Sequence, residues 1–166
     1  MCQPTLLIDI DGVISLFGFE PRRRPAGRFV TVDGVLHFLS ETAGGLLLGL
    51  MGQFELVWCS GWEEKADEYL PHALGLPPGL PHLSFPPAAA GDRRHWKLAA
   101  IDRYAGPERP LAWVDDAHDD TCHTWAAERS GPTLLVRTEP AVGLTARHAD
   151  ELRAWALALQ PRPALG

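Results

Sequence analysis

The sequence predicts an α/β fold, doubly wound, with a mostly parallel five-stranded sheet, helices on both faces and a small β-hairpin flap after the first strand. Three observations carry that prediction. Short apolar runs alternate with helix-like patterns almost throughout the chain. The runs are near-continuously apolar instead of alternating, as strands buried on both faces are. The length, 166 residues of which 46% are apolar, suits one domain with a substantial core. Residues 1–160 are expected to form that single domain, and the proline-bearing segment 161–166 a disordered tail.

Thr5–Ile10 reads as a buried strand, stopped by Asp11-Gly12. Between Val13 and Val35 the pattern is short and hairpin-like, with Val13–Phe19 and Arg28–Val32 as strands around Pro21, Pro25 and Gly27. Leu36, Leu39, Ala43, Leu46, Leu47 and Leu50 recur at three and four residues, which predicts a helix. Gly44, Gly45 and Gly49 weaken it and imply close packing on a flat neighbour. Phe54–Cys59 is the next strand, followed by a helix over Trp62–Leu74 with Glu63, Glu64, Lys65 and Glu68 on its wet face. Gly75–Arg94 is rich in Pro and Gly, with Leu83–Phe85 as a short strand inside it. A helix over His95–Tyr104 turns Leu98 and Ile101 inward, and the strand Leu111–Val114 runs straight into Asp115-Asp116. Asp120–Arg129 is helical and Thr133–Val136 is the last strand. Thr145 then caps a final helix with Leu152, Trp155, Ala156 and Leu159 on one face.

Composition removes several function classes. A formal net charge of −6 excludes holding nucleic acid by bulk positive charge, so any polyanion contact has to be local. Three cysteines cannot close a disulfide framework and none forms a C-x-x-C pair, which fits a cytoplasmic location. The longest apolar stretch, Leu46 to Met51, is far short of the ~20 residues that span a bilayer, and the first residues lack the basic start of a signal peptide. No membrane partner is expected.

Three strand ends carry the residues that chemistry uses: Asp9 and Asp11 after the first, Ser60 after the second, Asp115 and Asp116 after the fourth. In a doubly wound fold these ends share one rim, and Lys97, opening a helix, can reach it. Two carboxylates from each of two strands make a hard, oxygen-rich site suited to Mg²⁺. Without a cation they would raise one another's pKa. An Asp beside Mg²⁺ can attack phosphorus, and a carboxylate two residues on can protonate the leaving oxygen and then activate water. Ser60 and Lys97 can stabilise the equatorial phosphoryl oxygens.

With these residues in place, the chain resembles the haloacid dehalogenase-type (HAD) phosphohydrolases, whose core is Rossmann-like. Asp9-Ile10-Asp11-Gly12 stands for motif I, Ser60 for motif II, Lys97 for motif III, and Asp115-Asp116 with Asp120 for motif IV, over about residues 5–136. The resemblance implies that Asp9 is the nucleophile and a Mg²⁺ ligand. It makes Asp11 the general acid/base and a metal ligand through its carbonyl, Asp116 the direct motif IV ligand, and Asp115 and Asp120 supporting or water-mediated ligands. Gly12 and Gly61 fall on the substrate side. The second Asp of motif I argues against dehalogenation. Neither gap between motifs holds a cap domain, so the chain resembles capless members with open sites. Cys59-Ser60-Gly61-Trp62 and the Trp125 helix after Asp116 are similar to the phosphatase domains of polynucleotide end-repair enzymes.

The implied activity is Mg²⁺-dependent phosphomonoester hydrolysis through an aspartyl-phosphate, on a macromolecular or nucleic-acid end phosphate. The alternatives are a nucleotide or other small-molecule phosphatase closed by oligomerisation, and a silent phosphate-binding module. Arg22, Arg23 and Arg24 on the flap offer local phosphate contacts, against the plainer reading of a solvated charge run. His118, Cys122, His123 and Cys59 match no usual zinc spacing. A cysteine phosphatase needs an Arg six positions after its Cys, where Lys65 and Glu128 stand. Trp58 occupies a glycine position of a serine elbow, and no P-loop sequence is present. Tryptophans 58, 62, 96, 113, 125 and 155 read as packing residues rather than a stacking platform.

Overall fold

The computed structural model describes residues 3–160; the expected tail, 161–166, lies outside them. The elements in chain order are β1 (Thr5–Ile8), a 3₁₀ turn (Pro21–Arg23), β2 (Gly27–Val32), β3 (Val35–Ser40), α1 (Ala43–Leu48), β4 (Glu55–Trp58), α2 (Glu64–Leu74), α3 (Leu98–Ala105), β5 (Leu111–Asp115), α4 (Asp120–Glu128), β6 (Thr133–Arg137) and α5 (Ala146–Ala158). A four-stranded sheet of order β4-β1-β5-β6 is parallel throughout, with β2 and β3 as a separate antiparallel pair. The crossover from β1 to its neighbours on either side, β4 and β5, places the switch point of the sheet at the end of β1.

Successive side chains of a strand point to opposite faces, so each strand feeds two cores. Leu6, Ile8, Leu56, Trp58, Ala112 and Val114 pack with Leu47 of α1, Leu70 of α2 and Leu152 of α5. Leu7, Val57 and Trp113 pack with Leu98 and Ile101 of α3 and with Cys122 and Trp125 of α4. Helices therefore cover both faces, as predicted. The final helix begins where expected: Thr145 Oγ1 accepts from the His148 amide, and His148 Nδ1 reciprocates on the Thr145 amide at 3.2 Å. No helix of the described residues is long and apolar enough to cross a membrane.

Three expectations are corrected. The fifth strand, Leu83–Phe85, does not form. One bridge joins His82 to Trp58, with Trp58 N donating to Pro81 O at 2.8 Å and Leu83 N to Trp58 O at 2.9 Å. The ladder then stops because Phe85 N donates to Glu63 Oε1 instead, and Pro86 and Pro87 have no N–H to offer.

The helix expected from Leu36 onward is a strand up to Ser40, and only Ala43–Leu48 is helical. Asp33-Gly34, both at positive φ (48° and 78°), forms the two-residue turn that matches the twist of a hairpin and pairs Val32 with Val35. Lys65 and Tyr69 of α2 both bond the Asp33 carboxylate, which ties this hairpin down and lowers the Asp33 pKa. The glycine argument for close packing holds at Gly44, where a Cβ would overlap the carbonyl of Leu74, at the end of α2 rather than on a sheet.

Finally, Val13–Phe19 is no hairpin strand. The carbonyl of Ile10 accepts from the amides of Val13, Ile14 and Ser15, making a tight turn, and the segment then touches β3 through the Ser15–Leu39 bridge. The flap is thus the β2–β3 hairpin.

Candidate active site

The site is assembled at the carboxyl ends of β1, β4 and β5. Asp9 directly follows β1; its amide donates to Val114 O at 3.0 Å, and its side chain is buried with 7% of the residue exposed. Lys97, at the N-cap of α3 and 3% exposed, places Nζ 2.8 Å from Asp9 Oδ1 and 2.6 Å from Asp115 Oδ2. Asp115 is engaged at both oxygens: Trp113 Nε1 donates to the same Oδ2 at 3.2 Å, and the Ala117 amide donates to Oδ1 at 3.0 Å. Asp116 is half-buried, and its carboxyl occupies the space that a Cβ on Gly12 would need. Gly12, at φ 80°, is therefore required twice over, by its backbone and by its neighbour. Thr138, just past β6, straps the two loops together: Oγ1 donates to Gly12 O at 2.8 Å and N to Asp115 O at 3.1 Å.

Carboxylate oxygens of Asp9, Asp115 and Asp116 come within 4.8 Å of one another. Such a set of hard donors can hold a metal ion. Asp11 stands apart, its side chain half-exposed, accepting from Trp62 Nε1 at 3.1 Å with His37 Nδ1 3.8 Å away. The His37 ring meets Trp62 edge-on at 4.6 Å and lies 2.9 Å from Ser15 Oγ, so the flap reaches the site through this residue. Ser60 is 2% exposed and accepts from the Trp62 amide at 3.3 Å. Both carboxylate pairs, Ser60, Gly61 and Lys97 line one open cavity of about 260 Å³, with His95 and Trp96 completing its wall.

Burial pushes the Asp9 carboxyl up to about 7, opposed by Lys97 and reinforced by Asp115. Burial alone would lower Lys97, but Asp9 and Asp115 hold it above the usual lysine value. Asp116 is raised by burial and then by the charge of Asp115. His118 is pushed down to about 4 by burial; it stacks edge-on to Trp113 at 4.5 Å, with both ring nitrogens unpaired among the described residues. Burial raises the thiol of Cys59 far above its normal range and that of Cys122 to about 11, so neither is a nucleophile.

The structure thus brings together Asp9, Asp11, Gly12, Ser60, Gly61, Lys97, Asp115 and Asp116. It does not bring Asp120 to them. That residue opens α4, exposed, and lines a different groove with Arg94 and Trp125, while Asp119 takes the N-cap. Arg22, Arg23 and Arg24 are also exposed and outside the cavity lining, with the Arg24 guanidinium 5.8 Å from the Phe38 ring. Sequence reasoning missed Thr138, Trp62, His37, His95 and Trp96. Trp62 stands two residues after Ser60 and was within reach of it; His37 was hidden by the helix assigned to its segment.

A parallel α/β sheet with buried carboxylates and a lysine at its switch point is the arrangement expected of a HAD-like hydrolase. The family model for the HAD domain in Swiss Army Knife RNA repair proteins matches residues 5–149, and the chain belongs to that family. It is a HAD-like phosphatase related to RNA end-repair enzymes. No curated protein matches the chain.

Proposed function

We propose that the chain hydrolyses a terminal phosphomonoester of RNA through an aspartyl-phosphate on Asp9, with Mg²⁺ as cofactor and residues 3–160 acting as one capless catalytic domain. The observation that carries the reading is Lys97, buried and bridging Asp9 to Asp115. The family's own description supports an RNA substrate, and the open cavity supports a chain end.

Asp9 and Asp116 would hold the cation by their carboxylates and Asp11 by its carbonyl. Asp115, which accepts from Lys97, Trp113 and the Ala117 amide, serves by fixing Lys97. Bound there, Mg²⁺ would keep Asp9 ionised and neutralise charge on the phosphoryl group.

The chain's own residues supply the steps. An Asp9 oxygen attacks phosphorus as the bond from phosphorus to the leaving oxygen breaks, and Asp11 gives its proton to that oxygen. Water then attacks the phosphoryl group, Asp11 takes the water proton, and the bond from phosphorus to Asp9 breaks, releasing phosphate and restoring Asp9. Lys97 and Ser60 stabilise the equatorial oxygens through both transfers. Trp62, donating to Asp11 Oδ2, keeps that carboxyl aimed at the cavity. Release of phosphate from 3′- and 5′-phosphorylated oligoribonucleotides, compared with free nucleotides and with EDTA as control, tests the reading. A hydroxylamine-labile phosphoenzyme supports Asp9; turnover of free nucleotides alone would replace the RNA end with a small molecule.

A further inference from the structure

Trp96 departs from the other tryptophans. Trp58 and Trp113 are fully enclosed and Trp125 is 7% exposed, whereas Trp96 is 52% exposed on the wall of the catalytic cavity. An indole in water is costly unless something covers it in the working state. This one is also braced. Phe85 meets it edge-on at 4.7 Å, the His95 ring lies 6.0 Å away and inclined by only 23°, and the Lys97 ammonium is 5.1 Å from its centroid. A ring held by three neighbours and still half exposed can serve as a shelf.

We infer that Trp96 stacks on the nucleobase of the nucleotide that carries the scissile phosphate. The inference rests on the phosphatase reading above and names what lies on the leaving side. Lys97 links the two: its ammonium touches Asp9 Oδ1 at 2.8 Å and stands 5.1 Å from the Trp96 centroid, which keeps a phosphoryl group on Asp9 and a base on the indole within reach of one nucleotide. Apart from the His95 ring beside it, the lining is charged or small, with Asp9, Asp11, Ser60, Gly61 and Lys97 prominent, which leaves the Trp96 indole as the largest flat apolar surface of the cavity. Gly61 faces it: a Cβ there would lie 3.8 Å from the outer edge of the Trp96 ring, and its absence leaves that approach clear. Stacking of this kind accepts any base, since every base has a π-face, and adds ~1–3 kcal/mol per base. The site would therefore select for a nucleotide without selecting its sequence.

The test compares phosphates with and without a base. Calorimetric Kd values for adenosine 3′- and 5′-phosphate and for ribose 5-phosphate are measured on the wild-type protein, Trp96→Ala and Trp96→Phe, with EDTA present to stop turnover. Trp96→Ala should reduce the preference for adenosine phosphates over ribose phosphate by roughly 5- to 150-fold, and Trp96→Phe should retain most of it. In steady-state assays with phosphorylated oligoribonucleotides the same loss should appear in KM and leave kcat nearly alone. Equal weakening of both ligands in Trp96→Ala would make Trp96 a packing residue and overturn the inference. So would an unchanged preference, or a loss confined to phosphotyrosine peptides, which would put an aryl phosphate on the shelf. If the wild type turns over no phosphomonoester, the phosphatase reading fails, while the binding comparison still decides the shelf.

Discussion

Replacing Asp9 by Asn should flatten the fall in stability of the metal-free protein toward alkaline pH while abolishing turnover. Burial raises the Asp9 pKa from 3.8 to about 7, which corresponds to roughly 4 kcal/mol. The folded chain keeps the Asp9 proton up to about pH 7, whereas the unfolded chain loses it near 3.8. Between those values the folded state binds more protons, so stability falls as pH rises, and roughly 3 kcal/mol of the total is lost between pH 5 and pH 8. Asn does not titrate, and the Asp9→Asn curve should diverge upward from wild type by about that amount. Asp116, also raised, and His118, held neutral down to about pH 4, titrate in both proteins and cancel in the difference. Thermal unfolding in EDTA from pH 5 to pH 8 is the assay, with an expected Tm divergence of roughly 5–10 °C for a chain of this length. Millimolar Mg²⁺ should close the gap by stabilising ionised wild type. Parallel curves in EDTA would mean that Asp9 ionises freely and that its burial has no electrostatic consequence, which would refute the reasoning.

Asp11→Asn should still let Asp9 become phosphorylated by p-nitrophenyl phosphate but slow the second half-reaction, because water lacks its base; a single-turnover burst followed by slow release would show this. Asp116→Ala should weaken Mg²⁺ binding by about tenfold or more in calorimetric titration, whereas Asp120→Ala, whose side chain lines another groove, should change it less than about twofold. Neutralising Arg22, Arg23 and Arg24 together should flatten the salt dependence of KM for oligoribonucleotides and leave kcat unchanged, since exposed arginines outside the cavity can act only on neighbouring phosphates. Equal effects on p-nitrophenyl phosphate would assign the three to a solvated surface.

The sheet and the carboxylates were legible because both are local signals. A buried parallel strand is a short apolar run, and a polar residue at its end is one or two positions further on, so Asp9, Ser60 and Asp115 could be placed from their own neighbours. Elements whose pattern depended on distant partners were not. Leu36, Leu39 and Ala43 fit a helical spacing by coincidence of a strand followed by a helix, and the stronger signal, Asp33-Gly34 flanked by apolar residues, stood three residues earlier. The exposure of Trp96 is a tertiary fact that no composition argument contains.

The division of labour between Asp115 and Asp116 looks beyond sequence, since both are aspartates, yet strand geometry accounts for it. Side chains two apart share a face, so Asp115, ending β5, must lie on the side of Trp113, and there it takes the indole N–H, the Ala117 amide and Lys97. Asp116 turns the other way, into the space left by Gly12, where its oxygens are near Asp9 and uncommitted to Lys97. A Trp two residues before the pair and a Gly three residues after Asp9 therefore assign the orienting role to Asp115 and the cation to Asp116. Exchanging the environments tests the logic. Trp113→Phe removes one donor from Asp115 and should loosen Lys97, lowering kcat more than Mg²⁺ affinity. Gly12→Ala displaces the Asp116 carboxyl and should do the reverse.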